Sequence, residues 1–231
     1  MSKHIAIIGG TSGIGRATVA QLQSDGHTVH AACRSPEKLA DLGIVAQPFD
    51  AAAPGPLAWP ERLDGFVYFP GSISLKPFHR LTAEDFQRDL QVNLFGAIAA
   101  LQSALPALKA SGNASVVLFS TVAVAQGMPM HASIAAAKGA VEALARSLAA
   151  EWAPTIRVNV IAPSLTDTPL AGALLNSDLK KEAAGKRHPL QQVGRSEDMA
   201  ALVAHLLSGH ARFMTGQVLH VDGGLSAVRT F

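Results

Sequence analysis

Cysteine occurs once in 231 residues, at Cys33, so no internal disulfide can form and a reducing, cytoplasmic setting is expected. Tyrosine also occurs once, at Tyr68. An excess of charge is lacking as well: 19 Lys plus Arg against 17 Asp plus Glu leave a formal +2, far short of the clustered positive surface that a phosphate backbone requires. Nucleic acid is therefore not an expected partner, and no metal site is expected. No uninterrupted apolar stretch approaches the roughly 18 residues of a membrane-spanning helix, which removes a membrane from the expected partners. The opening Met1-Ser2-Lys3-His4 leads into an apolar run that ends at Gly9, too short for a secretion signal. Low complexity, fixed-period repeats and disorder are all excluded, since 48% of residues are hydrophobic and only 16% charged. What is present is enough chain for one large core and not for two.

Short runs rich in Val, Ile and Phe alternate from end to end with longer runs rich in Ala and Leu. Strands are predicted at 5–8, 28–32, 45–49, 65–69, 115–120, 156–161 and 217–221. Helices are predicted at 14–24, 36–41, 83 to about 110, about 133 to 150, and 196–207. Such alternation builds repeated βαβ units, so the predicted fold is α/β: a Rossmann-type, doubly wound, seven-stranded parallel sheet in a single domain over 1–231. Ser35 before Pro36, and Ser196 ahead of Glu197 and Asp198, read as helix N-caps. Three prolines make 54–60 a loop, and Gly172, Gly185 and Pro189 mark about 168–190 as a mobile substrate flap.

Directly after the first predicted strand stands Gly9-Gly10-Thr11-Ser12-Gly13-Ile14-Gly15-Arg16, and it opens a helix. Glycines allow positive φ and a close backbone approach, while a helix N-terminus offers free N–H groups and partial positive charge to a pyrophosphate. Gly9, Thr11, Ser12, Gly13, Ile14 and Gly15 are accordingly read as a dinucleotide cradle. The competing reading is a plain glycine-rich turn, but three glycines there weaken a helix start when no ligand compensates.

This Gly-x-x-x-Gly-x-Gly spacing resembles that of the short-chain dehydrogenase/reductase family, and other blocks extend the resemblance over essentially the whole chain. Ile8 stands where the family usually has threonine. Asn93 in Val92-Asn93-Leu94-Phe95-Gly96 looks like the family's helix asparagine. Arg157-Val158-Asn159-Val160-Ile161-Ala162-Pro163-Ser164 resembles Arg-Val-Asn-x-Ile-x-Pro-Gly, with Ser164 replacing the glycine. Met214 to Gly224 resembles the family's last strand and its turn. The resemblance implies an enzyme with a nicotinamide dinucleotide, a small-molecule substrate and a homo-oligomer, dimer or tetramer, whose contacts run along helices 83–110 and 133–150 and segment 225–231.

The end of the second strand distinguishes the cofactors. An acidic residue there bonds the ribose hydroxyls of NAD, whereas an arginine accommodates the 2′-phosphate of NADP. Cys33 occupies the acid's place and Arg34 follows, which favours NADP(H), although Arg34 can also be read as a surface charge. The resemblance further implies that Asp50 and Ala51 hold the adenine, that Gly71 lies beside the cofactor, and that Pro163, Thr166 and Thr168 grip the carboxamide and order the flap.

Chemistry in the family usually needs a Tyr-x-x-x-Lys pair on one helix face. Here the lysine is Lys138, and four residues earlier stands Ile134, which has no proton to give. The family's serine falls on Thr121. Three readings follow. In the first, hydride passes to an acceptor that needs no strong acid, such as a conjugated C=C, as a similarity of 131–138 and 149–152 to the dienoyl-CoA and enoyl-CoA reductase branch suggests. In the second, the acid has moved to His131, Ser133 or Thr121, directly or through a water held by Asn93 and Lys138. An imidazole ordinarily titrates near 6.5, which suits His131, though a capping role at the helix start is an equal reading. In the third, the fold binds NADPH as a non-catalytic sensor or interaction subunit, and Lys138 serves binding alone. Lys180, Lys181, Lys186 and Arg187 could meet the phosphates of a CoA ester or form a solvated face.

Overall fold

Alternate residues of the first strand feed two different cores, and this decides the layering. The computed structural model describes residues 2–229. In chain order it runs β1 (His4–Ile8), α1 (Gly13–Ser24), β2 (Thr28–Cys33), β3 (Gln47–Pro48), β4 (Gly65–Tyr68), α2 (Ala83–Leu90), α3 (Gly96–Ser111), β5 (Ala114–Phe119), α4 (Ala132–Trp152), β6 (Ile156–Pro163), β7 (Thr166–Asp167), α5 (Asp178–Gly185), β8 (Gly194–Arg195), α6 (Ser196–Leu207) and β9 (Val218–Val221). Ile5 and Ile7 pack with Val19, Leu22, Val203 and Leu206 under α1 and α6. Ala6 and Ile8 pack with Ala97, Ala100, Val141 and Ala145 under α3 and α4 on the opposite face. A sheet covered on both faces needs apolar residues at every position, which is why the central strands read as unbroken hydrophobic runs.

The seven-stranded sheet is parallel throughout, in the order β3-β2-β1-β4-β5-β6-β9. The chain winds outward from β1 in one direction and from β4 in the other. Ligands in such sheets bind beyond the carboxyl ends of the strands flanking that reversal. Here those ends are Ile8-Gly9 and Tyr68-Phe69.

Several local expectations shift. The predicted strand 45–49 shrinks to Gln47–Pro48 at the sheet edge, because Pro48 has no N–H to extend a ladder and Val45 is exposed. Ser35 stands at the cap of a 3₁₀ segment, Pro36–Leu42, but its side chain makes no capping bond. Ser196 lies inside α6, and the capping position belongs to Arg195, whose N–H donates to the Asp198 carboxylate at 2.9 Å. The single helix expected over 83–110 is divided by a π turn at Gln91–Phe95. Residues 168–190, read from the sequence as a substrate flap, carry a 3₁₀ turn at Pro169–Ala171 and α5. Leu165, Ala171, Leu175, Ala184 and Val193 give this segment a small core, and the β7–β8 ladder ties its base.

Candidate active site

The glycine turn leaves β1 with Gly9 at φ +86° and Gly13 at φ +51°, conformations a side chain resists. A Cβ on Gly15 would sit 2.4 Å from the Gly9 carbonyl oxygen, so the turn and the first helical residues are in direct backbone contact. Ser12 occupies the cap of α1 without spending its side chain on the helix, which leaves the N-terminal N–H groups of α1 facing outward for an anion. The excursion after β6 reaches back over this turn, with Thr168 side-chain carbons 3.1 Å from where a Gly13 Cβ would lie. Gly15→Ala is expected to lower stability by about 1–3 kcal/mol, the usual cost of overpacking, and to remove dinucleotide binding. Thermal melting and calorimetric titration check the two effects separately.

From this turn a cleft of about 1320 Å³ runs across the carboxyl ends of β1, β4, β5 and β6. It is lined by every residue read from the sequence as cofactor-binding: Gly9, Thr11 to Gly15, Arg34, Asp50, Ala51, Gly71, Lys138, Pro163, Thr166 and Thr168. Thr121, His131 and Ile134 line it too. At its outer end Arg34 is exposed and forms no ion pair with the described residues. Lys38, which the sequence reading missed, lines the cleft beside it. Arg16 is taken up by Asp41 and the Lys38 carbonyl oxygen. Asp50 turns its carboxylate back to the Ala52 N–H at 2.9 Å.

At the inner end the geometry is tighter. Lys138 is 8% exposed and its Nζ donates to the Phe119 carbonyl oxygen at 2.9 Å. Burial pushes its pKa down to about 8, and the nearby Asp89 carboxylate partly opposes this. Ser120 donates to Glu142 at 2.6 Å and so faces α4. Thr121 accepts from the Ala123 N–H at 3.3 Å and keeps its own hydroxyl proton for a ligand. Ile134 is 5% exposed and forms an apolar wall. Tyr68 cannot take the place of a phenol here: it is buried, donates to the Val92 carbonyl oxygen at 2.6 Å, and its pKa is raised by burial.

Asn93 lies behind the cleft wall, not in it. It is fully buried in the π turn, where a wider backbone shifts the usual helical amide by one residue. Its Nδ2 donates to the Asp89 carbonyl oxygen at 2.8 Å and to Ser72 Oγ at 3.0 Å. Its Oδ1 has no partner among the described residues and lies 3.3 Å from where a Gly71 Cβ would be; Lys138 Nζ lies 3.5 Å from the same point. A side chain at position 71 would therefore crowd both polar groups. Asp89, also missed from the sequence, is fully buried and accepts from Ser72 at 2.7 Å and Ser74 at 3.1 Å. Its only sequence signal is its position four residues before Asn93, on the same helix face.

Two expected donors change status. Ser133 is buried and does not line the cleft, so it cannot donate directly. His131 occupies the cap of α4 without a side-chain capping bond; its Nδ1 meets the Pro129 carbonyl oxygen at 2.8 Å and must carry the hydrogen. The neutral ring then has only an acceptor at Nε2. Of the four flap cations, Lys181 pairs with Asp167 and Lys186 with Glu182, and only Arg187 lines the cleft.

The residues present fit a nicotinamide dinucleotide, with a cradle that side chains would fill at one end and Lys138 with the Thr121 hydroxyl at the other. Residues 56–226 match the family model described as enoyl-(acyl carrier protein) reductase. A tropinone reductase homologue of Arabidopsis thaliana is 36% identical over 239 residues, covering 95% of this chain and 91% of that one. The chain belongs to the short-chain dehydrogenase/reductase family. A tropinone reductase homologue of Datura stramonium is 31% identical, covering 94% of this chain and 90% of that one. Among solved structures, a short-chain type dehydrogenase/reductase from Mycobacterium ulcerans superposes with a TM-score of 0.87 at 29% identity, covering 99% and 92% of the two chains. A gluconate 5-dehydrogenase from Burkholderia cenocepacia, solved in complex with NADP and tartrate, gives 0.87 at 25% identity over 99% and 97%. The protein is an oxidoreductase of this family's type.

Proposed function

We propose that this protein is an NADP(H)-dependent oxidoreductase that reduces a small carbonyl or conjugated C=C acceptor without the family's usual tyrosine acid. One observation carries the reading: a single cleft joins the glycine turn and the Arg34-Lys38 pair to Lys138, Thr121 and Ile134. The NADP complex of the Burkholderia cenocepacia relative supports the choice of cofactor. When bound, the reduced dinucleotide supplies the hydride. The chain's own residues do the rest. The N-terminus of α1 faces the pyrophosphate, Arg34 and Lys38 take the 2′-phosphate, and Asp50 and Ala51 flank the adenine. Lys138 holds the nicotinamide ribose, with Pro163, Thr166 and Thr168 at the carboxamide. Thr121 donates its hydroxyl to the acceptor oxygen, and Ile134, Leu170 and Leu174 offer an apolar wall.

A conjugated acceptor spreads the incoming charge onto its oxygen, where fixed hydrogen bonds stabilise it without a full proton transfer. A plain ketone forms an alkoxide that needs the proton, so it is expected to react about 10²–10⁴-fold more slowly, the usual worth of a general acid. The test follows NADPH absorbance against conjugated thioesters, enones and ketones. Oxidation with a conjugated acceptor is expected, with the rate lost in Lys138→Ala. If NADPH binds firmly, no acceptor reacts, and Ile134→Tyr alone creates ketone reduction, the natural protein is a non-catalytic NADPH-binding subunit. A cytoplasmic setting suits the free, buried Cys33. Self-association is proposed through the outer face of α4, where Ala132, Ala136, Ala143 and Ala150 are exposed, together with exposed Phe95; light scattering measures it. Of segment 225–231, expected to join these contacts, Thr230 and Phe231 lie outside the described residues.

A further inference from the structure

The Lys, Arg, Asp and Glu side chains that line the cleft are almost all of one sign. Arg34, Lys38, Arg88, Lys138 and Arg187 reach it, and Asp50 is the one carboxylate among the described residues that does. The dinucleotide accounts for Arg34, Lys38, Asp50 and Lys138 in the roles given above, and Arg88 is held by the Asp85 carboxylate, which also takes Lys76. Arg187 remains. It is exposed and its side chain forms no hydrogen bond or ion pair with the described residues. Its backbone, in contrast, is held firmly: the Arg187 N–H donates to the Ala184 carbonyl oxygen at 3.2 Å, and the next residue, His188, is buried. The His188 ring has Nδ1 2.9 Å from that same carbonyl oxygen and Nε2 2.9 Å from Ser164 Oγ, so Nδ1 carries the hydrogen and the Ser164 hydroxyl donates to Nε2. Ser164 follows β6, and the Val122 N–H donates to the Pro163 carbonyl oxygen at 3.2 Å, which sets this anchor beside the strand end bearing Thr121. The glycine turn is met instead by the far end of the same excursion, where Thr168 packs over Gly13. Arg187 thus belongs to the acceptor end of the cleft, not the pyrophosphate end.

We infer that Arg187 selects acceptors that carry a carboxylate away from the reacting carbon. The inference rests on the oxidoreductase reading proposed above and names its substrate class. A guanidinium is charged at every working pH and presents a planar fork of N–H donors that matches the two oxygens of a carboxylate. No protein acid competes for it. Glu182 pairs with Lys186 at 2.6 Å, and Asp222, on the turn packed against His188, spends its carboxylate on Gly224 and Ser226. One free guanidinium suits one carboxylate, whereas the several phosphates of a CoA ester call for more cations, and Lys181 is already paired with Asp167. The body of the acceptor meets apolar surface. Ile73, Leu170 and Leu174 line the cleft and are 40%, 55% and 37% exposed, so hydrocarbon that covers them is withdrawn from water together with them. A cationic acceptor, by contrast, finds no carboxylate among the described residues at this end of the cleft and is repelled by Arg187 and Lys138. The class that fits is a compact conjugated keto acid.

Two measurements on the full chain test the assignment, one of them without turnover. With NADP⁺ bound, calorimetric titration of 4-oxopentanoate and of its methyl ester should show the acid binding about 10-fold or more tighter, the worth of a charge-assisted hydrogen bond. Arg187→Gln should bring that ratio to about 1, and Arg187→Lys should keep part of it, since an ammonium supplies the charge without the fork. Arg187 is exposed, so both variants are expected to fold. NADP⁺ titrated alone should bind Arg187→Gln as it binds the parent; a loss of about 10-fold or more would assign Arg187 to a cofactor phosphate and overturn the inference. In turnover, NADPH oxidation is followed with 4-oxo-2-pentenoate, its methyl ester and an enoyl-CoA thioester. The acid should exceed the ester in kcat/KM by a similar factor, chiefly through KM, and Arg187→Gln should remove the advantage. A parent that reduces acid and ester equally well, or prefers the CoA thioester, overturns the carboxylate assignment and leaves the oxidoreductase reading standing. If the acid binds through Arg187 and nothing is reduced, the oxidoreductase reading falls and the carboxylate site stands.

Discussion

Lys138→Met should abolish turnover and at the same time make the protein harder to unfold at neutral pH. Burial holds the ammonium pKa at about 8, against 10.5 for an exposed lysine. The unfolded chain therefore binds this proton more tightly than the folded one, and the gap corresponds to about 3 kcal/mol. The penalty is fully present below about pH 8 and is relieved as pH rises from there toward 10.5. Methionine has a similar length and no charge, so the penalty disappears. Losing the bond to the Phe119 carbonyl oxygen returns about 1 kcal/mol of it, and the uncompensated Asp89 carboxylate returns more. A net gain of about 1 kcal/mol at pH 7 is expected. Denaturant midpoints of parent and variant at pH 7 and pH 10 measure it, and the difference should shrink at the higher pH. A variant less stable than the parent at pH 7 by the same measure would mean that the Asp89–Lys138 attraction outweighs the burial of the ammonium.

Arg34→Asp should reverse the cofactor preference. Arg34 is exposed at the end of β2 and lines the cleft, with Lys38 and Ser35 beside it, while Arg16 is held by Asp41. Charge-assisted hydrogen bonds are worth about 1.5–3 kcal/mol each. Removing one and facing the 2′-phosphate with a carboxylate should weaken NADPH binding by about 10²-fold or more, while the new carboxylate can accept from the ribose hydroxyls of NADH. Lys38→Ala should weaken NADPH binding by a smaller factor and leave NADH unchanged, since a flexible exposed ammonium makes a less directional contact. Calorimetric titration of both dinucleotides decides the matter. Equal or tighter binding of NADH by the parent protein would remove Arg34 from the 2′-phosphate site.

Much of this molecule follows from short stretches of sequence. The order of strands and helices is written in local hydrophobic period, and the phosphate turn in three glycines between a strand and a helix, because backbone conformation and amphipathic period are properties of neighbouring residues. Ile134 four residues before Lys138 is equally local, since helical spacing alone puts both on one face. Tertiary structure decided the rest. The π turn that takes Asn93 behind the cleft wall depends on packing α2 and α3 against the sheet, and so does the burial of Asp89 that affects Lys138. Tyr68 is withdrawn from chemistry by the helices above it. Ser164 and His188 stand 24 residues apart and meet only because the excursion after β6 folds back on its own small core. Contacts between distant segments are set by how helices and loops seat on the sheet, and that seating has no periodic trace in the sequence.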